Sequence, residues 1–184
     1  MPAIEAIQIK ECFGTFCAVD GLSFTVERGE MFGLLGPNGA GKTTAIKMLT
    51  TLLPLTSGRA WVVGHDVQRR PNEVRRSIGY VSQILSADGT LTGYENLLVF
   101  ARLYDLPRNE REARIREALD VMGLADAKDR LVRKYSGGMI RRLEIAQSMI
   151  HRPALLFLDE PTVGLDPLAR KAVWEYIQRL RTEF

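Results

Sequence analysis

The pattern of apolar and polar residues changes character along this chain. In the first part, apolar residues alternate with polar ones, as at 22–26, which is typical of strands with one buried face. Further along, apolar positions recur at helical spacing, for example at Ile115 and Leu119. A short apolar run at 154–158 then restores the strand signal. The pattern predicts an α/β core that is interrupted by a helical insert.

Shorter elements can be placed within this pattern. Strands are expected at 7–9, 22–26, 59–63 and 78–81, with a turn at 27–30. The apolar residues 31–35 predict another strand, which leads through a glycine-rich segment into a helix over 44–50. Residues 84–93 are rich in Ser, Asp, Gly and Thr and have no periodicity, so they predict a linker.

A capping box marks the start of the helical insert. Thr92 and Glu95 have the spacing at which each side chain bonds the other residue's backbone N–H, so we expect a helix to begin there. We expect Leu97, Phe100 and Leu103 to contribute to the core of the insert.

Residues 36–43, Gly-Pro-Asn-Gly-Ala-Gly-Lys-Thr, match the phosphate-loop pattern G-x-x-x-x-G-K-[ST]. Glycines let consecutive backbone N–H groups surround a di- or triphosphate, and the helix that follows adds positive potential. Lys42 is expected to reach the β- and γ-phosphates, and the Thr43 hydroxyl to take one Mg²⁺ position. The candidate nucleotide-binding residues of this segment are Gly36, Pro37, Asn38, Gly39, Ala40, Gly41, Lys42, Thr43 and Thr44. By itself the motif predicts a nucleoside triphosphate ligand.

Two adjacent carboxylates, Asp159 and Glu160, follow the apolar run 154–158. A buried parallel strand would deliver both to the sheet edge beside the phosphate loop. Asp159 can hold the Mg²⁺ shell, while Glu160 orients or deprotonates the attacking water. A strand that ends in a surface turn is the alternative, since Pro161 comes next. The phosphate loop favours the catalytic interpretation.

A third motif, Ser136-Gly137-Gly138, heads a predicted helix. Ser136 is a good N-cap, and the two glycines leave the first helical amides unobstructed, so this helix end can hold an anion. A Ser-Gly-Gly helix start is also common without any ligand. The strand that follows this helix and ends in Asp159 and Glu160 favours the anion-binding interpretation.

Composition restricts the function classes only loosely. The chain has 184 residues, of which 46% are hydrophobic and 26% charged, which suits one domain with a sizeable core. The net charge is +3 and the charges are interspersed, so solvated helix faces are favoured over a nucleic-acid patch. No apolar stretch approaches the 18 residues of a membrane span.

The two cysteines, Cys12 and Cys17, do not have the spacing of a metal site. A tight hairpin at Gly14-Thr15 would place them opposite each other, within disulfide reach. Reduced, structural cysteines are the favoured interpretation for a chain of this kind.

Taken together, these motifs resemble the ATP-binding cassette of ABC transporters over nearly all of the chain. The resemblance implies an α/β fold: a P-loop NTPase core with a small N-terminal antiparallel β subdomain and an inserted helical subdomain. Residues 1–83 and 152–184 would form the nucleotide-binding core, and 84–151 the helical insert.

The resemblance also implies a role for each matching position. Phe13 would stack on adenine, a contact that suits the π-face of an aromatic ring. Glu160 would be the catalytic glutamate, and Asp166 would lie in a loop that crosses a dimer interface. Because Pro167 follows it, Asp166 also has the sequence pattern of an ordinary helix N-cap. The signature that grips the γ-phosphate of the opposite subunit is Ser136, Gly137 and Gly138. The Mg²⁺ contacts are Thr43, Gln83 and Asp159.

The signature departs from the commoner family pattern at both ends. Tyr135 replaces Leu, and Met139 replaces Gln. Because Met139 has no hydrogen-bond donor in its side chain, the anion is expected to rely on Ser136 and the backbone amides. This variant is similar to the ABC-2 group of exporter ATPases, the daunorubicin-resistance type.

The family's switch histidine has no counterpart here, since His65 and His151 both lie upstream of its position. We expect the natural protein to continue beyond Phe184 with the strand that carries it. Without that strand the cassette could bind ATP yet hydrolyse it poorly.

The favoured function is an ATPase subunit of an ABC exporter, with ATP and Mg²⁺ as cofactors. Its expected partners are a second ATPase subunit, arranged head to tail, and transmembrane permease subunits; no nucleic acid is expected. It would lie on the cytoplasmic side of the membrane, held there by the permease. A non-transport ABC ATPase and a nucleotide-binding module without turnover are the alternatives.

Overall fold

In the computed structural model of the chain, residues 1–183 are described, with side chains through residue 178. The chain divides into two compact units, one comprising Met1–Gly79 and the other beginning at Tyr80. This division does not test the boundaries of the helical insert, residues 84 and 151, which stay a prediction.

The first unit is built on a four-stranded antiparallel sheet in the order β2-β1-β3-β4. Its elements are β1 (Ile4–Phe13), β2 (Phe16–Val26), α1 (Lys42–Leu49), β3 (Ser57–Val62), β4 (His65–Asp66) and α2 (Pro71–Ser77). In the sheet register Ile4 lies between Val26 on one side and Val62 on the other. Because side chains alternate between the two faces of a strand, one face of the sheet is buried. Ile9 of β1 is fully buried, and so is Met48 of α1. This sheet is the predicted N-terminal antiparallel subdomain.

The prediction of a strand at 31–35 is wrong. These residues have no regular secondary structure, and Leu35 is 92% exposed. Phe32 instead stacks on Phe24, with ring centroids 5.1 Å apart. Apolar character alone does not make a strand, because a strand needs a neighbour to exchange backbone hydrogen bonds with. The four-stranded sheet ends at β2 and β4 and does not include these residues.

The hairpin between β1 and β2 turns at Gly14-Thr15, as predicted, and pairs Cys12 directly with Cys17. The two cysteines form a disulfide, so the expectation that they are reduced is wrong for this structure. Direct cross-strand pairing explains the bond, since it brings the two Cα atoms to 3.9 Å from each other. The sequence predicted the reach of this disulfide but not its formation.

The second unit is mainly helical and contains a two-stranded sheet of β5 and β6. Its elements are β5 (Ile78–Val81), which starts just before the unit boundary, α3 (Gly93–Leu103), α4 (Arg108–Val121), α5 (Gly137–Met149), β6 (Leu155–Leu158) and α6 (Pro167–Glu183). Short 3₁₀ turns at Ala125–Ala127 and Val132–Lys134 precede α5. None of the helices, as far as they are described, is long and apolar enough to cross a bilayer.

The capping box at the start of α3 is confirmed. The Glu95 N–H donates to Thr92 Oγ1 at 3.1 Å, and the Thr92 N–H donates to Glu95 Oε2 at 2.8 Å. Two otherwise unpaired donors are satisfied by side chains three residues apart, which explains why so short a pattern predicts the helix start.

Leu97 is fully buried in the helical core of this unit and Phe100 packs against that core, as predicted, but Leu103 does not belong to it. Leu103 ends α3 and is 69% exposed. The chain then turns through Asp105, which has a left-handed φ of 55°, and Leu106 enters the core instead. Because α3 ends at Leu103, extrapolating the helical spacing to this residue fails.

Candidate nucleotide-binding site

The phosphate loop of the first unit depends on its glycines for its shape. Gly39 and Gly41 both have φ of 82°, in the left-handed region that favours glycine. A Cβ at Gly41 would lie 2.2 Å from the carbonyl oxygen of Ala18, so no other residue fits there without a backbone shift. Gly41 is also the N-cap of α1 and supplies no side-chain cap, so the first amides of the helix are left for an anion.

Lys42 holds its ammonium over this loop. Nζ donates to the carbonyl oxygens of Gly36 and Pro37, both at 2.9 Å. A lysine ammonium has three donors, so two bonds fix its position and one remains for a phosphate oxygen. Its contact with the β- and γ-phosphates stays a prediction.

Phe13 lies at the tip of the β1–β2 hairpin, opposite Phe16. The residue is 53% exposed, so its aromatic side chain is not enclosed by the core of the unit. The Cys12–Cys17 disulfide lies next to this pair and ties the two strands together at the tip.

The two carboxylates in the second unit differ in environment. Asp159 directly follows β6, is 3% exposed, and donates its N–H to the Val81 carbonyl of β5 at 3.0 Å. Burial raises the pKa of the nearby Tyr80 hydroxyl, and the negative charge of Asp159 raises it further. Tyr80 therefore stays protonated beside the acidic strand end.

Glu160 is in contact with Gln83. The Gln83 Nε2 amide donates to Glu160 Oε2 at 3.2 Å, although 77 residues separate the two. Glu160 has a left-handed φ of 50°, a conformation that costs a residue with a side chain roughly 1–3 kcal/mol and is concentrated at functional sites. The structure thus joins two residues that the sequence assigned to separate motifs.

The signature motif caps α5 as predicted. Ser136 Oγ accepts the Met139 N–H at 3.3 Å. Gly138 also allows close packing, because a Cβ at this position would lie 2.9 Å from the Cβ of Ala169 on α6. Close packing of two helices and an open helix end therefore both require a glycine at this position.

The family model for the ABC transporter matches residues 19–163, which include all three motifs. The chain belongs to the ABC transporter family.

Among curated relatives, this ABC transporter chain is 51% identical to the daunorubicin resistance ATP-binding protein DrrA2 of Streptomyces coeruleorubidus, over 97% of this chain and 55% of that protein. It is 44% identical to the Nod factor export ATP-binding protein I of Burkholderia thailandensis, over 96% of this chain and 58% of that protein. The chain spans about half the length of the curated relatives it matches.

A solved structure of cbiO1 from Clostridium perfringens, part of the ABC transporter complex cbiONQ, matches with a TM-score of 0.89 and 27% identity. The match covers 99% of this chain and 74% of that one. These comparisons confirm the fold class and the resemblance to the daunorubicin-resistance type. They do not test the individual site residues, which stay predictions.

Sequence reasoning about this ABC transporter chain missed Arg130. Its Nη2 donates to the Met139 sulfur at 3.2 Å, and its guanidinium lies 5.2 Å from the centre of the Tyr135 ring. A cation thus lies beside both unusual residues of the signature. No local signal could have shown this, because Arg130 precedes the motif and is placed there only by the 3₁₀ turn between them.

Asp166 has the capping role that its position before a proline suggested. Its Oδ1 accepts the N–H groups of Leu168 and Ala169, both at 3.0 Å, at the start of α6. Its role at a dimer interface is a separate prediction.

Proposed function

We propose that this chain is the ATP-binding and ATP-hydrolysing part of an ABC exporter. The observation that supports the proposal best is the phosphate loop, with two left-handed glycines and the Lys42 ammonium fixed above them. The export direction is supported by relatives whose names denote daunorubicin resistance and Nod factor export. ATP is proposed as the substrate and water as the nucleophile.

The proposed chemistry divides the work among residues of different types. Lys42 and the first amides of α1 bind the phosphates, and the ring of Phe13 stacks on the base. Thr43, Asp159 and Gln83 are proposed as Mg²⁺ ligands, because each side chain carries an oxygen of the hard type that this ion prefers. The ion would neutralise developing charge on the phosphates.

Glu160 is proposed to orient the attacking water and to accept its proton. Its contact with the Gln83 amide restrains the carboxylate through one oxygen and leaves the other for water. The left-handed backbone at Glu160 fixes the direction in which the side chain leaves the chain. Hydrolysis then proceeds by positioning and charge stabilisation rather than by covalent catalysis.

Two copies of the chain are proposed to close head to tail on two ATP molecules. The Ser136 end of α5 would then bind the γ-phosphate held by Lys42 of the other copy, with its unpaired amides as donors. The assembly would be held at the cytoplasmic side of a membrane by permease subunits.

Dimerisation gives a direct test of the proposed function. The full-length Glu160→Gln protein is expected to double its mass in light scattering when Mg²⁺ and ATP are added, because binding proceeds while hydrolysis is blocked. Adding Ser136→Asp should abolish the dimer, since a carboxylate caps the helix but repels the phosphate. The neutral cap Ser136→Asn is the matched control and should still dimerise. A Glu160→Gln monomer at saturating ATP would contradict the proposal.

The permease is proposed to dock on the segment that follows Gln83. Ile84 is 80% exposed and Leu85 is 48% exposed, so two adjacent apolar side chains face solvent directly after a residue of the proposed hydrolysis site. A short amphipathic helix of the permease is the occupant that fits a small apolar surface of this kind. Binding at the permease and hydrolysis would then be linked through one segment.

The substitutions Ile84→Glu and Leu85→Glu are expected to lower permease-stimulated ATP hydrolysis to the basal rate. The dissociation constant for ATP should stay unchanged. The physical reason is that a buried, unpaired carboxylate in an apolar contact is costly. Membranes that contain the permease provide the assay, and Leu103→Glu, at another exposed leucine, is the control. Normal stimulation of the Ile84 and Leu85 variants would place the docking surface elsewhere.

A further inference from the structure

Helix α5 carries a buried ion pair that none of the sequence motifs explains. Arg141 Nη1 and Glu144 Oε2 are 3.0 Å apart, and the two side chains are 1% and 4% exposed. Removing two charges from water is expensive, and a buried pair of this kind often adds nothing to stability compared with apolar residues. Its presence needs a reason other than stability.

Both side chains bind the segment that carries Gln83. Arg141 donates through Nη1 to the Ser82 carbonyl at 2.7 Å and through Nη2 to the Gln83 carbonyl at 2.9 Å. Glu144 Oε1 accepts the Ser86 N–H, the Ser86 hydroxyl at 3.3 Å and the Ala87 N–H at 3.4 Å. We call the range 82–87 the glutamine segment. It has no helix or strand of its own, so one face of α5 supplies hydrogen bonds that its backbone lacks.

The geometry points to a positioning role: we propose that Arg141 and Glu144 hold the glutamine segment so that the Gln83 amide stays on the Glu160 carboxylate. This inference rests on the proposed ATPase function. The Gln83 carbonyl is bound by Arg141 while its side chain donates to Glu160, so the residue is held at both ends. A planar guanidinium can bind two successive carbonyls at once, which fixes direction as well as distance.

The same helix also carries the predicted phosphate-binding end. Ser136 caps α5, and Arg141 lies five residues further along, roughly 7.5 Å along the axis. Because a helix moves as a rigid rod over so short a distance, a displacement of its capped end is passed to the glutamine segment through Arg141 and Glu144. The ion pair thus links the signature of one chain to the Gln83–Glu160 contact of the same chain.

The neighbouring residue Arg142 provides a matched control. It is on the same helix and also donates to backbone carbonyls, those of Met122 at 2.8 Å and Gly123 at 3.4 Å. Its guanidinium lies 5.1 Å from the centre of the Tyr176 ring. Within the described part of the chain, Arg142 forms no hydrogen bond with the glutamine segment, so its loss should affect packing without affecting Gln83.

The decisive variant is Arg141→Met with Glu144→Leu, which replaces both charges by apolar side chains of similar size. In the full-length protein it is expected to fold and to bind ATP within about twofold of the wild type. Its kcat should fall by ~10–10²-fold, the range expected when a catalytic contact is misplaced by about 1 Å. Steady-state kinetics, ATP titration calorimetry and thermal unfolding give the three measurements. Arg142→Met should lower the unfolding temperature but leave kcat unchanged.

Single substitutions keep the test decisive if the double variant does not fold. Arg141→Lys retains the charge and should recover part of kcat, while Glu144→Gln retains the acceptor and should stay closer to the wild type than Glu144→Leu. A double variant with wild-type kcat, or an equal loss of kcat in Arg142→Met, would overturn the positioning role and leave the proposed function standing. Wild-type protein without any ATP hydrolysis would instead overturn the proposed function itself.

Discussion

Replacing Glu160 by glutamine is expected to slow ATP hydrolysis by ~10²–10⁴-fold, the usual contribution of a general base. Glutamine has nearly the same shape, and its carbonyl oxygen can still accept from Gln83, so the local structure is retained. What is lost is the ability to accept a proton from water. ATP binding should therefore persist while turnover falls.

Phosphate release measured with purified full-length protein checks this expectation, with ATP affinity measured in parallel. Glu175→Gln is a suitable control, because Glu175 lies on α6 and forms a long, exposed ion pair with Lys171. Turnover that survives in the Glu160→Gln protein would remove Glu160 from the mechanism and leave the role of base to another group.

Replacing Lys42 by alanine is expected to weaken ATP binding by ~10–10²-fold, since a hydrogen bond to a charged group contributes roughly 1.5–3 kcal/mol. Two effects add. The phosphate loses its charged donor, and the loop loses the two bonds that tie Nζ to Gly36 and Pro37. The defect should therefore appear in the dissociation constant for ATP.

Equilibrium titration with ATP measures this effect. Lys47→Ala is the matched control, because Lys47 lies in the last turn of the same helix, away from the glycine loop. Equal affinities of the wild-type and Lys42→Ala proteins would show that the loop amides alone bind the phosphates. Together, the two substitutions separate the binding step, assigned to Lys42, from the chemical step, assigned to Glu160.

The residues assigned to the binding step and to the chemical step lie in different compact units of the chain. Lys42 lies in the unit Met1–Gly79, and its Nζ bonds the carbonyls six and five residues before it, those of Gly36 and Pro37. The side-chain contact of Glu160 lies in the unit that begins at Tyr80 and joins it to Gln83, 77 residues away in sequence. Substitutions that disturb packing in the second unit are thus expected to change turnover before they change affinity.

Local motifs were predicted well from the sequence because their physics is local. The capping box of Thr92 and Glu95, the Ser136 cap and the Asp166 cap each join groups at most three residues apart. The left-handed glycines of the phosphate loop follow from the residue types themselves. The same holds for β6, where a short apolar run ends in two carboxylates.

Two of the predictions that failed depend on how elements pack, and the third concerns the oxidation state of two cysteines. Residues 31–35 are apolar enough for a strand, but the sheet of their unit does not include them. Leu103 has the spacing of a core residue, yet the helix ends there and Leu106 takes the buried position. The sequence predicted that Cys12 and Cys17 lie opposite each other, but the general preference for reduced cysteines led to the wrong oxidation state.

The amino-acid sequence by itself determined the family, the phosphate loop, the carboxylate pair and the helix caps, because these require only residue types at short fixed spacings. Only the tertiary structure decided that Gln83 contacts Glu160 across 77 residues, and that Arg141 and Glu144 bind the glutamine segment across 57 to 59 residues. Such contacts form when the helical core closes, and their geometry depends on how whole elements pack. No periodicity or motif in the sequence records that packing, so these positioning contacts could be found only once the fold was known.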